Sequence, residues 1–295
     1  MSEITLITEF KDDEILRKSF FDLAKSTFGV DFNLWFKNGF WNEKYQCYSF
    51  CYNKNIIANV SANKMDLIIN GKSIHAVQIG TVMTHPDFRH RGLASNLMKK
   101  ILEDYNKDDT FFFLFADKEV GEFYPKLGFT PRKEILFSTT VSSNKGHRKN
   151  EEIKKLNPNL KEDMNLILRI YANTKTQSSV FGVKNAEHLL GFYCLLAYPN
   201  DIYYVKEKNL VVIYKQENNI CHLYGVFSEG DVLFEDVKGI VTNESINKFL
   251  FHFTPAFSDL EADKDEYKTN EYILLVRPNK VELPEQFRIP YIAHS

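Results

Sequence analysis

Between Tyr45 and Ala116 the hydrophobic period changes twice, and this narrows the folds open to the chain. YQCYSFCYNKN (45–55) is rich in aromatic residues and ends in a polar turn. IIANVSANKMDLIING (56–71) and KSIHAVQIGTVMTH (72–85) meet at Asn70-Gly71, a pair that tolerates the positive φ of a tight hairpin. The three stretches predict an antiparallel meander. From Gly92 the period is helical. Ala94, Leu97, Met98, Ile101, Leu102 and Tyr105 make one apolar stripe, with Lys99, Lys100, Glu103 and Asp104 facing away. TFFFLFA (110–116) is a short unbroken apolar run, the pattern of a strand covered on both faces.

The flanks complete an α/β unit. Residues 13–28 carry Ile15, Phe20, Leu23 and Phe28 at helical spacing, with acidic residues in the first turn and Gly29 as a stop. A second short helix is expected over 31–41, another over 119–126, and a strand over 135–142. The result is a three-layer α/β domain over residues 1–142. The polar, charged stretch 143–152 reads as a linker. Over 153–295 the order partly repeats: helices at 160–172 (stripe Leu160, Met164, Ile167, Leu168, Tyr171) and 185–197, three strand-like runs over 201–230, and further strands at 246–253 and 271–278. This half reads as a divergent copy of the first.

Composition removes several function classes. The 295 residues are 44% hydrophobic and 26% charged, with a net charge of −2, so broad electrostatic binding to nucleic acid or anionic membrane is not expected. Cys47 and Cys51 share a strand face but lack a second pair at zinc spacing, and Cys194 and Cys221 stand alone; packing is expected, with no metal and no disulfide. MSEITLITEFKDDE has neither a basic nor an apolar leader region, and no apolar run is long enough to span a bilayer. A cytoplasmic location is the expectation.

The stretch HPDFRHRGLASN (85–96) lies where a strand gives way to a helix. A helix N-terminus offers unpaired N–H groups and the positive end of a dipole. Gly92 permits a tight turn and close approach of a ligand to the backbone, and Ala94 is small enough to allow the same. With Arg89 and Arg91 alongside, the loop suits a pyrophosphate; a solvated basic turn is the alternative. There is no Gly-Lys-Ser/Thr and no GxGxxG, so neither a Walker loop nor a dinucleotide fingerprint is present.

Thr84-His85-Pro86-Asp87-Phe88-Arg89-His90-Arg91-Gly92-Leu93-Ala94 resembles the acetyl-CoA signature of the GCN5-related N-acetyltransferases (GNAT), Arg/Gln-x-x-Gly-x-Gly/Ala at a helix start. Glu122-Phe123-Tyr124-Pro125-Lys126-Leu127-Gly128-Phe129 resembles that family's second signature, and the resemblance covers roughly residues 1–142. The divergent second half resembles the tandem arrangement of the enhanced-intracellular-survival type. The fold this implies is a GNAT-like mixed, mostly antiparallel sheet flanked by helices, followed by a second GNAT-like α/β domain. That second domain lacks an RHRGLA-like turn, reading SEGDVLFEDVKG instead, and is expected to have no CoA site of its own.

The resemblance implies roles residue by residue. Arg89, His90, Arg91, Gly92, Leu93 and Ala94 would hold the pyrophosphate of acetyl-CoA, a co-substrate. Val82, Met83 and Thr84 would pair with the pantetheine arm like an added strand. Tyr124 would stand near the leaving sulfur as general acid. Many relatives carry a Glu where this chain has Gln78, so the base is open among Glu122, Asp117, His85 and the carboxylate at Ser295, which tandem relatives bring into the site. His75, three residues before Gln78, should face the opposite side of the strand. The expected activity is acetyl transfer to a primary amine of a small molecule or peptide; a non-catalytic acetyl-CoA sensor or scaffold is the alternative. Acidic runs at 230–236 and 258–266 could attract a cationic acceptor but read as solvated loops.

Overall fold

Asn70 and Gly71 both take positive φ, 50° and 76°, and so close the hairpin between β3 (Asn55–Ile69) and β4 (Lys72–Thr84). With β2 (Tyr45–Tyr52) they form the expected meander. The computed structural model describes residues 3–106, 110–118, 121–142, 152–174, 178, 180–241, 245–269, 271–278 and 280–295.

Two mixed, mostly antiparallel sheets carry the chain. The first has the order β1 (Thr5–Ile7), β2, β3, β4, β5 (Phe111–Ala116), β15 (Ile273–Arg277), β6 (Thr130–Arg132), with β9 (Phe181–Lys184) also pairing β3. The second has the order β14 (Asp263–Glu266), β7 (Ile135–Thr140), β13 (Lys248–Phe251), β12 (Ile220–Ser228), β11 (Leu210–Glu217), β10 (Ile202–Val205), β8 (Ile153–Lys155). Each contains one parallel pair joined by a helix, β4–α3–β5 in the first and β12–α6–β13 in the second. These are α3 (Leu93–Asp104) and α6 (Phe234–Ile240). This is the internal repeat anticipated above.

The sheets do not part at residue 142. The strand expected to close the first unit, β7, lies in the second sheet between β14 and β13, and β15, from the far end of the chain, lies in the first sheet beside β5. In both sheets the second strand of the parallel pair is covered by an antiparallel strand from the opposite half. The stretch read as a linker falls mainly on residues 143–151, outside the described residues.

The helices α1 (Glu14–Phe28) and α2 (Asn33–Lys37) cover one face of the first sheet, and α3 covers the other. Asp13 caps α1 through Ile15 and Leu16 N–H (2.9 and 3.0 Å), and Phe20, Leu23 and Trp35 are buried. Ile15 and Phe28, placed on the apolar stripe by spacing, are exposed, as is Leu160 at the start of α4 (Lys161–Asn173). Leu97, Met98 and Ile101 of α3 are fully buried against Val77, Ile79 and Leu114. The short helix expected over 119–126 is instead a turn followed by a single 3-10 turn, Pro125–Leu127, since Pro125 has no N–H to bond back along a helix; residues 119–120 lie outside the described residues. The 185–197 helix is α5 (Glu187–Phe192) running into a π-turn at Tyr193–Ala197. All four cysteines are free; Cys47 and Cys51 share the face toward α1, and burial pushes the Cys47 thiol up to about 12.

Candidate active site

The strand-to-helix loop is built from backbone turns braced by side chains. After β4, Pro86–Phe88 make one 3-10 turn, and the chain then passes through His90 and Gly92 in left-handed geometry, φ 61° and 74°. Gly92 immediately precedes α3, and no side chain among the described residues caps that helix, so its first N–H groups point out of the loop. A Cβ at Gly92 would meet nothing within 4 Å; only the backbone angle and the open space in front of it call for glycine. Arg91 donates to the Asp87 carbonyl (2.8 Å) and lies over the Phe88 ring, and Arg89 Nε donates to the Thr84 carbonyl (3.2 Å). Both arginines therefore hold the loop's shape while leaving positive charge around it. Leu93 turns its side chain into the core, and Ala94 is half-buried.

Upstream, β4 is broken by a bulge. The register with β3 runs Asn59 with Met83 and Ser61 with Gly80, leaving Thr81 and Val82 against Val60 alone. Thr81 has φ 47°, costly for a β-branched residue, and a buried polar network holds it there. Asn59 Nδ2 donates to the Thr81 carbonyl (2.9 Å) and to Ser61 Oγ (2.9 Å), and Asn59 Oδ1 accepts from Ser49 Oγ (2.7 Å). Tyr45 Oη shares a hydrogen bond with Thr81 Oγ1 (2.9 Å) and accepts one from Ser61 Oγ (2.9 Å).

The bulge also resets which side chains face which way. Val77, Ile79 and Val82 lie on the α3 side, whereas Gly80, Thr81 and Met83 face the α1 and α2 side. Beyond Ile79, β4 and β5 separate: their parallel pairing covers Ala76 to Ile79 against Phe111 to Leu114, while β4 continues to Thr84. The β5-facing backbone edge of Gly80–Thr84 thus has no strand partner among the described residues, and it leads directly to the loop.

On the α3 side stands Tyr124, buried among Val82, Leu97 and Phe129. Burial, aided by the charge of Asp117, pushes its hydroxyl up to about 12, so it keeps its proton at neutral pH. Asp117 and Glu122 are exposed. His85 accepts from the Asp87 N–H within the loop, and His75 pairs with Asp66 (2.7 Å) on the exposed edge of the hairpin, away from the opening.

On the opposite side lies a cavity of about 90 Å³, walled by Phe32, Trp35 and Tyr45 from the first half and by Leu189, Phe192 and Tyr193 from the second. Asn63, Thr81, His294 and Ser295 complete it. The final segment of the chain lies across the separation of β4 and β5. The His294 ring stacks on Phe115 of β5 (3.6 Å between centroids). Gln78 of β4 is fully buried; oriented as its neighbours require, its amide nitrogen donates to the Ala293 carbonyl (2.9 Å) and its oxygen accepts from the Ser295 N–H (3.1 Å). Ser295 rests on Gly80, where an added Cβ would come within 2.2 Å of Ser295 Oγ. Gln78 thus anchors residues 293–295.

Sequence reading missed Tyr45, Asn59, Ser61 and Asn63. The signal was present: Asn59, Ser61 and Asn63 alternate with Ala58, Val60 and Ala62 in the middle of β3, a polar face that needs buried partners. In the second half, the start of α6 is occupied from within, since Asp259 accepts from Phe234 and Glu235 N–H (2.7 and 3.1 Å). Neither acidic run reaches the 90 Å³ cavity. Among the described residues no group of three metal-ligating side chains is gathered, and no helix is long and apolar enough to cross a membrane.

Comparison with known proteins agrees with this geometry. The acetyltransferase (GNAT) domain family matches residues 11–132. No curated protein sequence matches the chain. Among solved structures, a conserved Enterococcus faecalis V583 protein described as a probable N-acyltransferase aligns at TM-score 0.62 and 18% identity, over 93% of this chain and 72% of its own. A GCN5-related N-acetyltransferase from Kribbella flavida aligns at 0.58 and 11% identity, over 93% and 71%. Eis1 from Mycobacterium abscessus aligns at 0.55 and 13%, over 93% and 73%. At these identities the solved structures speak for fold. The signatures on the loop and at Tyr124 lie inside the stretch, residues 11–132, that matches the acetyltransferase (GNAT) domain family.

Proposed function

We propose that the chain transfers an acetyl group from acetyl-CoA directly to a primary amine. The observation that carries this reading is the unpaired β4 edge at Gly80–Thr84, which runs from an aromatic cavity on one side to the uncapped start of α3 on the other. The N–H groups of His90, Arg91, Gly92, Leu93 and Ala94, with the charge of Arg89 and Arg91, fit a pyrophosphate. Val82, Met83 and Thr84 offer backbone partners to an extended pantetheine arm. A free amide of the same edge would stabilise negative charge on the thioester oxygen.

Tyr124 holds a proton on the α3 side, where the thiolate would depart, and its raised pKa keeps that proton available. On the cavity side Gln78 cannot take a proton. A carboxylate at Ser295, seated on Gly80, is the proposed acceptor of the amine's proton. Residues 1–142 would supply the acetyl-CoA site. Residues 153–295, with α6 capped by Asp259, would supply the wall of the acceptor cavity without a second CoA site.

Thiol release on incubation with acetyl-CoA and a panel of amines tests the reading; release dependent on amine is expected. A sensor that binds acetyl-CoA without turnover is favoured by one observation, the use of Gln78 as an anchor. Binding with no release for any amine would establish that alternative.

A further inference from the structure

The cavity beside Thr81 constrains the acceptor more narrowly than the family does. Its walls are Phe32, Trp35, Tyr45, Leu189, Phe192 and Tyr193, and no Asp, Glu, Lys or Arg lines it among the described residues. Among the described residues the one negative group at it is the Ser295 carboxylate proposed above as base, enough for a single ammonium; the other charges felt at its edges are positive. Lys44 and Lys64 act on His188, adjacent to Leu189, and Arg288 acts on His294. The rings do not form an open cage for a cation: Trp35 meets Phe32 and Tyr45 edge-to-face, at 5.6 and 5.0 Å between centroids, so their faces are engaged with one another. Size matters too. A dry cavity of roughly 150 Å³ accepts a benzene ring; the 90 Å³ here, open at its mouth, takes a short aliphatic chain or one ring seated part-way, and has no room for an oligosaccharide.

Two polar atoms of the lining residues lack a partner among the described residues, Asn63 Oδ1 and His294 Nε2. Asn63 is fully buried, its Nδ2 donates to the Gln78 carbonyl (3.3 Å), and its Oδ1 accepts no hydrogen bond among the described residues. An unpaired buried acceptor beside the bulge is suited to an N–H donor.

Resting on the acetyltransfer reading, we infer that the acceptor is a small monoamine with a flat or short apolar body, seated in the aromatic cavity with an N–H on Asn63 Oδ1. A polyamine or aminosugar would place a second charge or several hydroxyls against carbon, next to like charge. The notion that the acidic runs recruit a polycation has no support at this cavity.

The test compares kcat/KM for benzylamine and butylamine with that for putrescine, spermidine and glucosamine, at pH 8 with saturating acetyl-CoA, using the full chain. The monoamines are expected to lead by at least about tenfold, the ratio one pKa unit of differential interaction produces. Asn63→Leu should raise the monoamine KM by a similar factor and leave the KM for acetyl-CoA in place. Preference for putrescine, spermidine or glucosamine would overturn the inference and leave acetyltransfer standing. Binding of acetyl-CoA without thiol release for any of the five would overturn both.

Discussion

Exchanging Gln78 for Glu separates an anchor from a vacated base. Gln78 is fully buried on β4 and makes two different bonds, donating to the Ala293 carbonyl and accepting from the Ser295 N–H. A protonated Glu could reproduce both, with its O–H as donor and its carbonyl oxygen as acceptor. An ionised one could not, because it would set a carboxylate oxygen against the Ala293 carbonyl. Leaving a buried acceptor unpaired costs about 1–3 kcal/mol. Burial raises the folded pKa of the new Glu above its unfolded value of about 4.3. The sign follows from linkage: the folded protein retains a proton that the unfolded chain releases, so Gln78→Glu loses stability as pH rises through that window. At pH 8 the Tm should fall by roughly 3–8 °C, and the gap should narrow as pH is lowered toward about 4.3. Thermal unfolding from pH 5 to 8 measures this, with kcat followed in parallel. The kcat should drop, since the segment carrying Ser295 loses its anchor. A variant as stable as the parent at pH 8 and faster in turnover would show that Gln78 merely occupies the place of a base, and the anchoring role would be wrong.

Three further outcomes are expected. Gly92→Asp should abolish acetyl-CoA binding, because it puts an anion and a side chain in the cradle at φ 74°, whereas Arg91→Ala should weaken binding only about three- to tenfold; calorimetric titration of both decides, and normal binding by Gly92→Asp would refute the cradle. Tyr124→Phe keeps the packing against Phe123 and Phe129 and removes the hydroxyl, so kcat should fall by about a hundredfold with the KM for acetyl-CoA little changed; an unaltered kcat would remove Tyr124 as acid. His188 is buried with both ring nitrogens unpartnered among the described residues, and its pKa is lowered to about 3 by burial. Its unfolded form takes up a proton below about 6.5, so the parent loses stability as pH falls from there; the stability difference between His188→Leu and the parent should favour the variant by about 2 kcal/mol more at pH 5 than at pH 8, as denaturant unfolding at the two pH values would measure.

What could be read before the structure was local. The Asn70-Gly71 turn, the change of period at Gly92 and the apolar run 110–116 each report on neighbours in sequence, and each is found where expected. The loop positions were legible for the same reason, since a glycine after a strand and before an amphipathic helix has a local meaning. Long-range pairing was not legible. ILFSTT of β7 and ILLVR of β15 are both short apolar strands, and nothing in either specifies which sheet it joins. Nor does any residue type announce a bulge at Thr81. Its geometry depends on Asn59 of β3 and on Tyr45 reaching across β3 from β2, and Thr ordinarily avoids positive φ. In the sequence Gln78 reads as a missing base and not as an anchor, because its partners, Ala293 and Ser295, lie more than two hundred residues away.

The exchanged strands bear on how the site is kept together. β15 covers β5 along Ile273–Arg277, and β7 covers β13, so neither parallel pair is complete without the opposite half of the chain. The cavity repeats this division: Phe32, Trp35 and Tyr45 face Leu189, Phe192 and Tyr193, and Trp35 Nε1 donates to the His188 carbonyl (2.7 Å) across the boundary. Cutting the chain near residue 142 would strip β15 from β5, remove Gln78's partners and open the aromatic wall in one step. The first half would keep its loop, its bulge and Tyr124, but it would present the exposed apolar edge of β5 to solvent, a template for association with other chains. The second half therefore contributes more than a wall of the aromatic cavity: it completes the sheet in which β4 and β5 splay apart.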